Sequence, residues 1–271
     1  MICAMTWKSS AQERSFKDSS DAKPFWAFLS IASSRAVFIA STFHTCVITP
    51  DCATTMTPLI RIIRHGEALH NVERGYPHRD PPLTKAGAAS TKRVNLPVQP
   101  DLILISPMTR TIETAMNMFP FLTKPGPFEI PVQIWPDLRE ANDAVCNKGL
   151  SRAELASKFP QFDFSECHEE WDYPEHSIEA ATARAESVRR RMKDLAATHS
   201  NIAVITHRGI KAFLVKGKRF GLAEVRCYRF ATEEEAQDDN IRRGVNTDTL
   251  EEQDFGPTVL ILEESQRKDR V

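Results

Sequence analysis

Short apolar runs alternate with helical patterns along most of the chain, and the switches between the two mark its elements. Leu59 to Arg64, Asp101 to Ile105, Val132 to Trp135 and Asn201 to Thr206 are rich in Val, Ile or Leu and bounded by turn residues. Their length and β-branched content predict short buried strands. Between them, helical spacing covers Thr84 to Arg93, Pro107 to Phe119, Ser151 to Phe159 and Ser177 to Thr198. The last of these carries alternating charges, as a solvated helix face does. Strands separated by helices imply an α/β domain, with parallel pairing and helices on both sheet faces. Val225 to Ala231 and Thr258 to Leu262 are expected to add edge strands. The acidic, polar stretch 233–255 between them reads as a mobile surface loop. There is no internal repeat.

Residues 1–55 follow neither period. They are rich in Ser, Thr and Ala, and Arg35 interrupts their one long apolar stretch, Pro24 to Ile48. A span of about 20 residues rarely carries a central Arg, which argues against a membrane anchor. Lys8, Arg14, Lys17 and Lys23 would suit a targeting segment, but Glu13, Asp18 and Asp21 do not. Three readings stay open: a poorly ordered leader outside the native fold, a targeting segment, and a packed extension. The leading expectation is a folded domain over 56–271, starting at Met56-Thr57-Pro58.

Charge and cysteine content narrow the function. A net charge of −1 gives no bulk electrostatic case for nucleic acid or for stable association with a membrane. Any anion must be held by a local cluster of positive groups. The six cysteines have no C-x-x-C spacing, so scattered free thiols in a reducing, cytoplasmic setting are expected. Nothing in the sequence sets an oligomeric state.

The candidate chemistry gathers where the strands end. Ligands of open α/β sheets bind at the carboxyl ends of the strands. The first strand ends in Arg64-His65-Gly66-Glu67, with Asn71 six residues after the His. A His there can attack phosphorus while the neighbouring guanidinium neutralises phosphoryl oxygens. Gly66 would let the backbone approach an anion. The second strand runs into Ser106-Pro107-Met108-Thr109-Arg110. Ser106 reads as an N-cap and Pro107 as the first helical residue, so Arg110 falls in the first turn. The fourth strand delivers His207, followed by Arg208 and Gly209. Glu140, soon after the third strand, is a candidate proton donor and acceptor. Asp137 and Asp143 are less well spaced alternatives.

These motifs, with Leu83-Thr84, Gly87 and the Thr-x-Glu-Thr that follows Arg110, resemble the histidine phosphatase superfamily over about Met56 to Leu262. This is the phosphoglycerate-mutase-like clan, and the stretch Cys146 to Leu150 is similar to a fungal branch of it. The resemblance implies a three-layer α/β/α sandwich around a mostly parallel sheet. It implies that His65 is the phosphorylated nucleophile and that Arg64, Arg110 and His207 form the phosphate pocket. Asn71, Gly66 and Thr84 would assist substrate binding, and Glu140 would donate the proton. No metal or other cofactor is implied. The chain departs from the family where His207-Arg208-Gly209 stands for the frequent His-Gly-Gly. It departs again where Glu140 is followed by Ala141-Asn142-Asp143-Ala144 rather than by the Arg-x-x-Gly of mutases.

The expected function is therefore a phosphatase acting on a small-molecule phosphate ester. A phosphomutase, or a non-catalytic binding module on the same fold, is the alternative. Residues 141–176 are expected to form a lid, with Phe162, Phe164 and Trp171 more readily explained as lid packing than as substrate contacts.

Overall fold

The computed structural model describes residues 57–172 and 176–263. The expected leader, residues 1–55, lies outside them. In chain order the first elements are β1 (Leu59–Arg64), α1 (Leu69–Val72), α2 (Lys85–Thr91), β2 (Leu102–Ile105), α3 (Thr109–Met118) and β3 (Val132–Ile134). There follow α4 (Arg152–Lys158), α5 (Ile178–Leu195), β4 (Asn201–Thr206), α6 (Arg208–Leu214) and β5 (Val225–Phe230). The last are α7 (Asp239–Arg242), β6 (Arg243–Val245), β7 (Glu252–Asp254) and β8 (Leu260–Leu262).

Six strands form one sheet in the order β3-β2-β4-β1-β5-β8. β3, β2, β4 and β1 are parallel, whereas β5 runs antiparallel to β1 and to β8. The sheet is mostly parallel as expected, and β5 lies inside it, leaving β8 at the edge. Side chains alternate strictly across the two faces. Ile60, Ile62, Leu102, Leu104, Ile202 and Val204 face α5 and α6. Ile63, Ile103, Ile105, Ala203 and Ile205 face α3 and α4. Both faces are covered, so strands that are buried throughout still obey the period of two. Each such Leu or Ile contributes roughly 1.5–3 kcal/mol on burial, and the result is the α/β/α sandwich.

Helix starts follow local chemistry. Ser151 caps α4 in a reciprocal box with Glu154, and the Ser177 hydroxyl accepts from the Ala180 amide at the start of α5. α3 corrects the sequence reading. It begins at Thr109 rather than Pro107, and Ser106 does not cap it. The carboxylate of Asp80 accepts from the Thr109 amide at 2.8 Å and from its hydroxyl at 2.6 Å instead. A cap from a distant loop leaves the Ser106 hydroxyl available elsewhere.

The segment 233–255 departs from the surface loop expected of it. It carries α7 and the β6–β7 hairpin. Asn246, Gln253 and Phe255 are buried, and Gln253 Nε2 donates to the Phe213 carbonyl near the end of α6 at 3.0 Å. Arg189 of α5 is fully buried and donates to the carbonyls of Phe213 and Leu214. Carbonyls left unpaired at the end of α6 thus find donors from two sides. α6 is the helix that opens directly after His207.

Candidate active site

Register brings the two histidines together. β1 and β4 are neighbours with Arg64 opposite Thr206, and the His65 amide donates to the Thr206 carbonyl at 3.0 Å. The next residue on each strand is therefore His65 and His207, side by side. Their ring centroids are 5.3 Å apart, and both side chains are almost completely buried.

His65 Nδ1 lies 2.7 Å from the Gly66 carbonyl oxygen. A carbonyl only accepts, so Nδ1 carries the proton and Nε2 keeps its lone pair. His207 Nε2 lies 2.8 Å from the Ser106 hydroxyl, while its buried Nδ1 has no hydrogen-bond partner. β2 sits on the other side of β4, and the Ser106 amide donates to the Ile205 carbonyl at 3.1 Å. That is how the serine expected to cap a helix comes to hold an imidazole.

Arg110, in the first turn of α3, has a fully buried side chain. Its guanidinium donates to the Cys146 carbonyl at 3.0 Å and to Asn147 Oδ1 at 2.9 Å, and its Nε is unpaired. Both bonded partners are neutral. Burial lowers its pKa, and the charges of Asp80 and Glu140 oppose that shift. Arg64, at the end of β1, donates to the Phe220 carbonyl at 2.9 Å. Burial and the charge of Arg208 push its pKa down to about 10. The two arginines therefore present cations that their own surroundings only partly neutralise, which is the condition for holding an anion.

Glu140 is placed by backbone contacts. Arg184 of α5 donates to the carbonyls of Asp137, Arg139 and Glu140, and the Thr206 hydroxyl donates to that of Leu138. Glu140 Oε1 accepts from the Ala141 and Ile210 amides at 2.8 and 2.9 Å. The carboxylate lies flat against the start of α6, where a Cβ on Gly209 would come within 2.4 Å of Oε1. A side chain at position 209 would therefore displace the carboxylate from this position.

The remaining predicted residues sit less directly. The Gly66 amide donates to Thr114 Oγ1 at 3.0 Å, and Thr91 fills the space a side chain would need. Its backbone is committed to the scaffold rather than open to an anion. Thr84 caps α2 and donates to Glu67 Oε1 at 2.6 Å. Asn71 is exposed, and its Nδ2 lies 3.1 Å from His70 Nε2. The aromatic side chains of Phe162, Phe164 and Trp171 are buried in the core beneath α3 and α4.

Sequence reasoning missed three nearby groups. His70 has its ring 5.7 Å from that of His65, and burial with the charges of Arg110, Arg64 and Arg208 lowers its pKa to about 3. Asn147 Oδ1 accepts from the Arg110 guanidinium, and Asp80 caps the helix that carries Arg110. The spacing R-x-G-x-x-x-H offered no sign of His70, and Asp80 reaches α3 from a loop with a left-handed backbone, φ 46°. Among the described residues, no three His, Cys, Asp or Glu side chains come together as a metal site, and no helix is long and apolar enough to cross a membrane.

The buried imidazoles predict acid sensitivity. Burial and the charge of Arg110 hold His65 and His207 well below their ordinary 6.5. Above pH 6.5 neither the folded nor the unfolded chain protonates them. Below it only the unfolded chain does, so stability falls with pH by about 1.4 kcal/mol per unit for each. His70 acts in the same sense. His176, also lowered by burial, adds to the effect, while Asp80 and Glu113, raised by burial from ordinary values below 5, act in the opposite sense. The melting temperature is expected to drop from pH 7 to pH 5, and a flat profile would contradict this arrangement.

A probable phosphatase of Schizosaccharomyces pombe is 33% identical over 124 residues, which cover 42% of this chain and 56% of that protein. The chain thus spans about half the length of the curated relative it matches. The ecdysone phosphate phosphatase of Bombix mori, solved with tungstate, is 16% identical, with a TM-score of 0.50 over 64% of this chain and 89% of that one. At that identity the likeness is one of fold. A mycobacterial glucosyl-3-phosphoglycerate phosphatase is 17% identical, with a TM-score of 0.46 over 76% and 97% of the two chains. The family model of the histidine phosphatase superfamily (branch 1) matches residues 60–233, the stretch that contains both histidines, both arginines and Glu140, and the chain belongs to that superfamily.

Proposed function

We propose that this chain is a phosphatase that hydrolyses a small phosphate monoester through phosphoryl transfer to Nε2 of His65. The observation that carries the proposal is the 2.7 Å bond from His65 Nδ1 to the Gly66 carbonyl, which leaves Nε2 unprotonated on a ring that lies beside His207 and within the field of Arg110 and Arg64. In the first step the Nε2 lone pair forms the N–P bond as the ester P–O bond breaks. Glu140, in its acid form, gives its proton to the leaving oxygen. Arg64 and Arg110 offset charge on the equatorial oxygens. His207 donates from Nδ1 while the Ser106 hydroxyl supports its other nitrogen. In the second step water attacks phosphorus, Glu140 takes the proton, and phosphate leaves as the imidazole is restored. The absence of an Arg-x-x-Gly after Glu140 favours water over a substrate hydroxyl as acceptor, and hence hydrolysis over mutase chemistry.

Glu140→Gln tests the proton step. It is expected to lower turnover of alkyl phosphates by about a hundredfold or more, since their leaving oxygens need a proton. Turnover of 4-nitrophenyl phosphate, which leaves readily as an anion, should fall less than tenfold. Equal losses on both would make Glu140 a structural residue.

A further inference from the structure

Arg208 stands beside His207, where the family often has a glycine, and the mechanism above gives it no part. It opens α6, and its side chain is 43% exposed. Its charge reaches the phosphoryl site: after burial it has the largest effect on Arg64, and it also acts on His70. Among the described residues its acidic partner is Asp248, in the loop between β6 and β7, at 3.7 Å. The same Asp248 Oδ1 faces Arg219 at 3.5 Å. Arg219 immediately precedes Phe220, whose carbonyl receives Arg64.

One carboxylate therefore stands against two guanidinium groups, at separations too long for a strong ion pair. A net positive charge is left at the rim of a pocket that already holds Arg64 and Arg110. Both side chains are partly exposed, so the guanidinium groups are accessible to a ligand anion. A planar guanidinium matches a carboxylate or phosphate with two parallel hydrogen bonds.

We propose that Arg208 and Arg219 form a second anion subsite at the rim of the phosphoryl pocket, and that the substrate carries a phosphate monoester and a second anionic group on one small skeleton. This deepens the phosphatase reading and rests on it. Asp248 occupies the subsite in the free protein as an internal competitor, delivered by the hairpin that occupies the acidic stretch 233–255.

Binding of two non-hydrolysable probes by calorimetry separates the claims without turnover. 3-Phosphonopropionate carries a carboxylate that propylphosphonate, of similar size, lacks. The wild-type protein is expected to bind the former about tenfold more tightly. Arg208→Gln, at an exposed position, should cut that preference to about twofold, and Asp248→Asn should widen it by removing the competitor. Equal binding of both probes by the wild type would overturn the subsite while leaving the phosphoryl pocket intact, as would an equal loss of both in Arg208→Gln. If neither probe binds the wild type, the phosphoryl pocket fails and the subsite falls with it.

Discussion

His65→Ala is expected to abolish turnover and the acid-labile phosphoenzyme together, while the protein stays folded. The side chain is buried, but its one described hydrogen bond runs to the adjacent carbonyl, so little of the surrounding scaffold depends on it. Alanine leaves a small polar-lined space that water can fill, and it removes a neutral group that burial and Arg110 prevent from being charged. What disappears is the one protein atom that, on this proposal, forms a bond to phosphorus. Rapid quench with ³²P-labelled substrate reads the result directly, with label on the wild type and none on the variant. The same stoichiometry of acid-labile label on His65→Ala would end the assignment, and point to His207 or His70 as the nucleophile.

Arg110→Ala should lower kcat by about a hundredfold or more, which corresponds to about 2.7 kcal/mol of lost transition-state stabilisation. Two effects combine. The guanidinium offsets charge on the transferring group, and through Cys146 and Asn147 it also holds the first turn of the segment expected to cover the pocket. Vanadate inhibition should weaken in parallel, since vanadate needs the same cation. Asn147→Ala separates the contributions. It removes one brace but keeps the charge, so it should raise KM more than it lowers kcat. An Arg110→Ala protein with unchanged rate and unchanged vanadate inhibition would make Arg110 a purely structural residue.

Much of this candidate site is legible in the sequence. Arg64-His65 and His207 fall at strand ends, and strands of this kind announce themselves by short Ile- and Val-rich runs. Arg110 lies in a first helical turn even though the turn starts two residues later than expected. The partners were not legible, because each comes from a remote part of the chain. Ser106 looks like a cap to any local rule, yet Asp80 takes that place and Ser106 turns to His207. Gly66 and Thr84 have the right types for anion contact but spend their groups on Thr114, Gly87 and Glu67. The stretch 233–255 is polar enough to read as a loop, and the burial of Asn246 and Gln253 against α6 is a tertiary contact that composition does not reveal.

Local pattern along the chain is enough for the element types, the burial of the strands on both faces and the choice of candidate reactive groups, since these follow from side-chain period, capping and chemistry within a few residues. Tertiary structure decided which of those groups meet. The sheet order places β4 between β2 and β1. That neighbourhood, rather than any local signal, sets Ser106, His207 and His65 in a row at one level of the sheet. The tautomer of His65, the orientation of Glu140 against Gly209 and the sharing of Asp248 by two arginines arise in the same way. Hydrogen bonds and charges act over a few ångströms of space, and only the folded register turns distances along the chain into those.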